Sequence, residues 1–229
     1  MKFPPLVAGR FVRRVNRFRV TVKVDGDPVD AHLPNSGRLT ELLTLDRACW
    51  LERATNPGRK TGFDLKLVAY AGTLVSVDAR LPNPLVAEAL GTGRLAPFQA
   101  CETFEREVGL GESRIDFRLA MPVGTLWMET KSVTLVEKGV ARFPDAPTAR
   151  GSRHVRELVR AVEEGMQAAV VFVVQRSDAR SFAPHDEADP VFGEALRVAA
   201  QAGVDVLAWT CDVSLEGIAM AEQVRVELG

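Results

Sequence analysis

The chain has little cysteine and little histidine, three of each in 229 residues. Cys49, Cys101 and Cys211 are far apart and odd in number, which argues against a disulfide framework and against a cysteine-rich zinc cluster. His32, His154 and His185 are equally scattered, leaving little for a histidine-based metal site or a Ser-His-Asp triad. No apolar run approaches the roughly 20 residues that cross a bilayer. The opening stretch MKFPPLVAGRFVRR is interrupted by proline and arginine before a signal-peptide core forms, so a cytoplasmic protein with no membrane partner is expected. Internal repeats and low-complexity tracts are missing as well. The net charge is only -1, which by itself says nothing about a polyanionic partner.

What is present is ordinary in amount and uneven in placement. Hydrophobic residues at 46% and charged residues at 26% are those of a soluble globular protein, with length for one large domain or two small ones. Residues 1–80 carry 14 Lys and Arg against 8 Asp and Glu, whereas the remainder carries 15 against 22. Lys2, Arg10, Arg13, Arg14, Arg17, Arg19 and Lys23 all precede the first acid, Asp25. Seven cations without a counter-charge repel one another unless a polyanion or open solvent relieves them, so the first part reads as the nucleic-acid-holding part. A solvated strand face is the plainer alternative. Arg38 and the basic loop TNPGRKTG, with Arg59 and Lys60, add to this face.

The N-terminal part reads as short strands. Arg17 to Val24 alternates, Asp25-Gly26-Asp27 turns, and Val29 to Leu33 alternates again, which makes a hairpin. Ala48 to Arg53, Leu65 to Ala69 and Leu74 to Val77 complete a set that fits a small closed barrel of the oligonucleotide-binding (OB) type. Phe11, Phe18, Trp50 and Phe63 are available either to stack on bases or to fill the barrel. A proline-marked boundary at RLPNP follows. A helix is expected from Pro84 to about Gly91, with Glu88 near its middle. Beyond it the order is strand (Glu102 to Val108), two further strands, a helix over Arg150 to Glu164, a strand buried on both faces (Ala168 to Val174), a helix from Pro190 to Ala202 and a strand from Val204. On the first long helix Val155, Leu158, Val159 and Val162 make the apolar face. Arg150, Arg153, His154, Arg156 and Arg160 lie on the other face or the N-terminal end, either to touch phosphate or as a solvated basic face.

The stretch SRIDFRLAMPVGTLWMETKSV (residues 113–133) concentrates the chemistry. Ile115, Phe117 and Leu119 alternate with Arg114, Asp116 and Arg118; Pro122 and Gly124 turn the chain; then Trp127, Glu129 and Lys131 share one face. If the two strands pair, Asp116 lies beside Glu129. Two carboxylates and an ammonium there suit a hard divalent cation and an attacking water. The alternative is a surface pair, Glu129 with Lys131, and an incidental Asp116.

The strings HLPNSGR (32–38), RLPN (80–83), SRIDF, ETKSVTLVEKGVARFPDAPTARG (129–151) and VVQRSDA (173–179) resemble the sugar fermentation stimulation protein A family over nearly the whole chain. That resemblance implies an N-terminal OB barrel (1–80) followed by an α/β domain like the PD-(D/E)xK nucleases (81–229), and a DNA-binding protein of little sequence preference. It also implies Mg²⁺, or Mn²⁺, held by Asp116, Glu129 and the carbonyl of Thr130, with Lys131 at the attacking water. Glu88 matches an extra carboxylate that some nucleases use, and Gln175 ends the buried strand at the site or as a structural cap. Ile115 stands where the nuclease motif often has proline. Two functions follow: a metal-dependent nuclease acting on DNA, with RNA as second choice, or a non-catalytic DNA-binding regulator linked to maltose metabolism. A phosphohydrolase of small molecules is the third.

Overall fold

A computed structural model describes residues 1–56 and 58–229. The chain opens with β1 (Leu6–Asn16), β2 (Arg19–Val24), β3 (Asp27–His32), β4 (Ala48–Arg53), β5 (Phe63–Tyr70) and β6 (Thr73–Ser76). β1 pairs with β2 and β4, β2 with β3, β4 with β5, and β5 with β6, all antiparallel. A parallel contact of β3 with β5, Ala31 to Phe63 and His32 to Asp64, closes five of the strands into a barrel. The β2–β3 hairpin turns at Asp25 and Gly26, both at positive φ (50° and 98°), the geometry that matches strand twist. Phe11, Val20, Val22, Leu51 and Leu65 fill the barrel, with Leu39 and Leu42 plugging it between β3 and β4. β1 is the strand that the sequence pattern did not reveal. Register shifts at Phe11/Arg13 and Arg14/Asn16 break its alternation, so its charged residues fall out of period.

The remainder runs α1 (Pro82–Gly91), a 3₁₀ turn at Phe98–Ala100, β7 (Thr103–Leu110), β8 (Ser113–Ala120), β9 (Thr125–Val133), β10 (Val136–Glu137), β11 (Val140–Phe143), α2 (Ala149–Glu163), β12 (Gln167–Val174), β13 (Ser181–Pro184), α3 (Pro190–Ala202), β14 (Asp205–Val213) and β15 (Ile218–Val226). The strands form one nine-stranded sheet in the order β10-β11-β13-β15-β14-β12-β9-β8-β7. β12 is parallel to both β9 and β14, so α2 and α3 are crossovers, whereas β7, β8 and β9 are an antiparallel meander. Thr148 caps α2, its hydroxyl accepting from the Gly151 N–H at 3.0 Å, and Asp189 caps α3 by accepting from Phe192 N–H at 3.0 Å.

From Ala168 onward β12 is apolar because both of its faces are covered. Val170, Phe172 and Val174 meet Val155, Leu158 and Leu196 under α2 and α3; Ala169, Val171 and Val173 meet Leu85 and Val86 of α1. Burying one such phenylalanine or valine stabilises the sheet by about 1.5–3 kcal/mol. Four strands, β10, β11, β13 and β15, go beyond the expected order; the first three have two to four residues, too few for alternation to be recognised, whereas β15 has nine. The first three residues leave the barrel and join the second unit. Phe3 N–H donates to the Glu216 carbonyl at 2.8 Å, and Met1 and Phe3 pack on the α1 side of the sheet.

Candidate active site

Asp116 lies where regular pairing lapses on both of its flanks. The β7–β8 ladder has rungs at Arg106–Phe117 and Val108–Ile115 but none at Glu107–Asp116, and Glu107 is at φ 56°. The β8–β9 ladder stops at Phe117–Met128, one rung before Asp116 would meet Glu129. Side chains fill the gap. The Thr130 N–H and hydroxyl each donate to Asp116 Oδ2 at 2.8 Å, and the Asp116 N–H donates to Glu129 Oε2 at 3.4 Å. Since a strand residue directs its N–H and C=O to the same edge, the Thr130 carbonyl also leaves toward Asp116.

Helices on opposite faces complete the frame. Asn83, in the first turn of α1, donates from Nδ2 to Asp116 Oδ1 at 2.7 Å, and its own Oδ1 lies against the Thr130 hydroxyl. His154 of α2 is buried and bonds through Nδ1 to Glu129 Oε1 at 2.5 Å; its Nε2 accepts from Arg150 Nε at 3.3 Å. The first contact places a ring proton on Nδ1, donated to Glu129. Lys131 Nζ bonds the same Glu129 oxygen. Glu129 is only 3% exposed. Burial would push its carboxyl up, but the Lys131 ammonium and the His154 hydrogen bond outweigh that and hold it below the usual carboxylate range. Glu129 is therefore an ionised acid under a shared pair of donors. These groups floor a cleft of about 560 Å³, walled by Ser36 and Arg80 from the barrel side and by Arg106, Glu107 and Arg150 from the sheet side.

Asp116, Glu129, Thr130 and Lys131 are thus brought together, and Glu88 is not. Its carboxylate points away and pairs with the chain's own amino terminus at 3.0 Å. The third carboxylate lining the cleft is Glu107. Among the described residues, no group of three or more His, Cys, Asp and Glu is arranged to hold a metal. Gln175 takes its structural role: fully buried, it donates to Ser132 Oγ at 2.8 Å and accepts from Ser76 Oγ at 2.9 Å, tying barrel to sheet.

The basic residues divide. Arg13, Arg17, Lys23, Arg38, Lys60, Arg150 and Arg153 form no ion pair among the described residues and are exposed. Arg19 is paired with Asp30 and Arg59 with Asp64, and Arg10 donates to the Asp46 carbonyl at 3.1 Å. Arg14 is not free for phosphate at all. Its guanidinium donates to the carbonyls of Gly37, Arg38, Arg17, Asn35 and Asn16, so it holds the loop beside the cleft. Phe11 is barrel core, whereas Phe18 is 47% exposed.

Asn83 and His154 are the residues that sequence reasoning did not place here. His154 lies four before Leu158 on the buried stripe of α2, which is the signal that could have moved it off the outer face. Asn83 had none: its role depends on α1 crossing the end of β8.

Barrel and sheet together define a class: an OB domain followed by an α/β domain whose sheet carries an acid-acid-lysine cleft at the junction. A family model described as the SfsA N-terminal OB domain matches residues 12–77, and one described as the sugar fermentation stimulation protein RE domain matches residues 80–217. A sugar fermentation stimulation protein homolog of Desulforamulus reducens is 46% identical over 98% of this chain and 94% of its own. Another, from Caldanaerobacter subterraneus subsp. tengcongensis, is 42% identical over 98% of both. The structure of Pyrococcus furiosus SfsA in complex with Ca²⁺ superposes with TM-score 0.92 at 32% identity, covering 99% of this chain and 98% of that one. The chain belongs to the sugar fermentation stimulation protein family.

Proposed function

We propose that the protein binds DNA and hydrolyses its phosphodiester bonds with a divalent cation, Mg²⁺ or Mn²⁺, in the cleft between barrel and sheet. The observation that carries this reading is the meeting of Asp116, Glu129 and Lys131 where β8 parts from β9, at the floor of an open cleft. The donor set fits a hard cation: two carboxylates, one of them held ionised, and a strand carbonyl at Thr130 directed to the same place. The Pyrococcus furiosus relative was solved in complex with Ca²⁺, an ion of the same oxygen-seeking class. When bound, the cation supplies a Lewis acid for the phosphoryl oxygen and lowers the pKa of a water.

The chain's own residues do the rest. Asn83 and the Thr130 N–H and hydroxyl orient the Asp116 carboxylate. His154 and Lys131 orient Glu129. The Lys131 ammonium, at the cleft surface, stabilises the charge that develops on the phosphoryl oxygens. Arg106 and Arg150 on the rim hold the flanking phosphates.

One observation favours a second reading, a DNA-binding protein with an idle site: every oxygen of Asp116 and Glu129 already accepts from a protein donor. Incubation with single- and double-stranded DNA and RNA, in Mg²⁺, Mn²⁺ or chelator, decides between them when binding and cleavage are read on the same samples. Cleavage is expected with metal, lost in chelator and reduced at least a hundredfold in Glu129→Ala and Lys131→Ala, the scale of a lost transition-state contact. Binding without cleavage in any metal would leave the second reading.

A further inference from the structure

We infer that the barrel loop from Ser36 to Leu39 is a phosphate-binding cradle adjoining the acid cleft, and that the Asp145 carboxylate fills it as an internal stand-in for a phosphate of the nucleic acid. This rests on the nucleic-acid reading above and adds to it a subsite and the contact that keeps that subsite closed.

The cradle is made by peptide geometry. Arg14 donates to the carbonyls of Gly37 and Arg38 at 2.7 Å each. In a trans peptide the N–H points opposite to the C=O, so the N–H groups of Arg38 and Leu39 are turned to the other side of the loop. There they converge on a single oxygen, Asp145 Oδ2, at 2.7 and 3.4 Å. Leu39 takes the left-handed conformation (φ 52°), as one member of two successive residues does when their N–H groups close on an anion. Gly37 supplies the floor. A Cβ built there would lie 2.4 Å from Asp145 Oδ2, so the missing side chain is what leaves room for the oxygen. Asn35, itself buried, fixes the entry by accepting from the Gly37 N–H at 2.8 Å and donating to the Val77 carbonyl at 3.1 Å.

Asp145 fits the place of a ligand better than that of a strut. Among the described residues it pairs with no cation, although Arg17 lines the same cavity and both Arg17 and Arg38 are exposed without acidic partners. Barrel and sheet are also joined elsewhere, by Ser76 with Gln175 and by Arg176 over Tyr70, so the two units stay fastened when this contact opens. A phosphodiester carries the same single charge and offers its free oxygens to the same N–H pair. Ser36, the residue before Gly37, lines the acid cleft, which sets the cradle at the cleft wall.

The test uses the full chain in chelator at neutral pH. Inorganic phosphate, compared with chloride at equal ionic strength, is expected to raise the melting temperature of Asp145→Ala by about 2 °C or more, the scale for a ligand at several times its Kd, and to leave the wild type unmoved. Gly37→Ala added to Asp145→Ala puts a methyl into the emptied cradle and is expected to abolish that rise. A labelled oligonucleotide is expected to bind Asp145→Ala about tenfold more tightly than the wild type, the factor gained when a competent state present at about one part in ten becomes the resting one. Asp145→Asn keeps an acceptor without the charge; it is expected to fall between the two, and it carries the test if the alanine variant does not fold. Equal phosphate responses in wild type and variants, or weaker oligonucleotide binding by Asp145→Asn with an unchanged melt, would overturn the cradle and leave metal-dependent cleavage to its own assay. A phosphate response in the variants with no oligonucleotide bound by any form would overturn the nucleic-acid occupant together with the reading on which it rests.

Discussion

At the scale of the residue, Glu129 shows how a carboxylate is kept charged inside a protein. It is 3% exposed in a sheet of apolar neighbours, and among the described residues its hydrogen-bond partners are Lys131, His154 and the Asp116 N–H. Removing a partner from a buried charge costs more than the bond itself contributes. His154→Ala is therefore expected to lower the unfolding free energy by about 1–3 kcal/mol, measured by urea titration. His154→Asn, whose amide N–H can take the place of Nδ1–H, is expected to recover most of it. If both variants unfold like the wild type, the hydrogen bond to Glu129 holds nothing. Arg14 teaches a similar lesson with the opposite outcome. As one of seven early cations it reads as a phosphate ligand, yet five backbone carbonyls take up its donors.

At the scale of the element, the exit from the barrel is built on charge. Lys66 of β5, 7% exposed, bonds Asp78 at 2.8 Å and Glu52 of β4 at 2.8 Å; Arg80 bonds Asp78 at 2.7 Å and Asp64 at 2.9 Å. Burial would raise both aspartates, but their ion pairs with Arg59, Arg80 and Lys66 outweigh it and hold both below the ordinary range. The sign follows directly. A folded-state pKa below the unfolded one adds stability that is complete above the unfolded value of about 4 and disappears as pH falls through the folded value. The melting temperature is expected to drop steeply below about pH 4. Asp78→Asn should flatten that drop and, by stranding Lys66, cost roughly 3 kcal/mol at neutral pH. An unchanged pH profile in the variant would show that the network contributes no linkage.

At the scale of the molecule, the cleft exists because barrel and sheet are fastened at fixed points. Ser76 and Gln175 join β6 to the end of β12, and Asp145 accepts from the Arg38 N–H at 2.7 Å, seating the barrel's 35–38 loop against the segment before α2. Arg176, buried to 1%, lies over Tyr70 of β5 at 5.2 Å. On the proposed nucleic-acid reading, the exposed cations without acidic partners on both units are the ones that meet phosphates. Binding affinity is expected to fall linearly with salt on logarithmic axes, and Arg13→Ala, Lys23→Ala and Arg153→Ala should each lower the slope by roughly 1. Arg14→Ala should instead destabilise the fold and leave the slope nearly unchanged. No helix among the described residues is long and apolar enough to cross a membrane.

The sequence by itself determined whatever repeats at short range. Alternation in β2, β8 and β9, the apolar run of β12 and the apolar stripe of α2 were legible because each depends on neighbours within a turn or a strand of its own position, and the Asp116, Glu129 and Lys131 set was legible from the strand pattern together with the family resemblance. Tertiary structure alone decided which side chains meet across the chain. Glu88 turned to the amino terminus, Glu107 entered the cleft, Asn83 crossed from α1 to Asp116, and His154 passed from an assumed outer face to the Glu129 carboxylate. The short strands β10, β11 and β13 and the shifted β1 belong with these. Periodicity tells how a segment buries itself, whereas a site made where pairing lapses is set by the packing of α1 and α2 over that gap, and no local pattern records it.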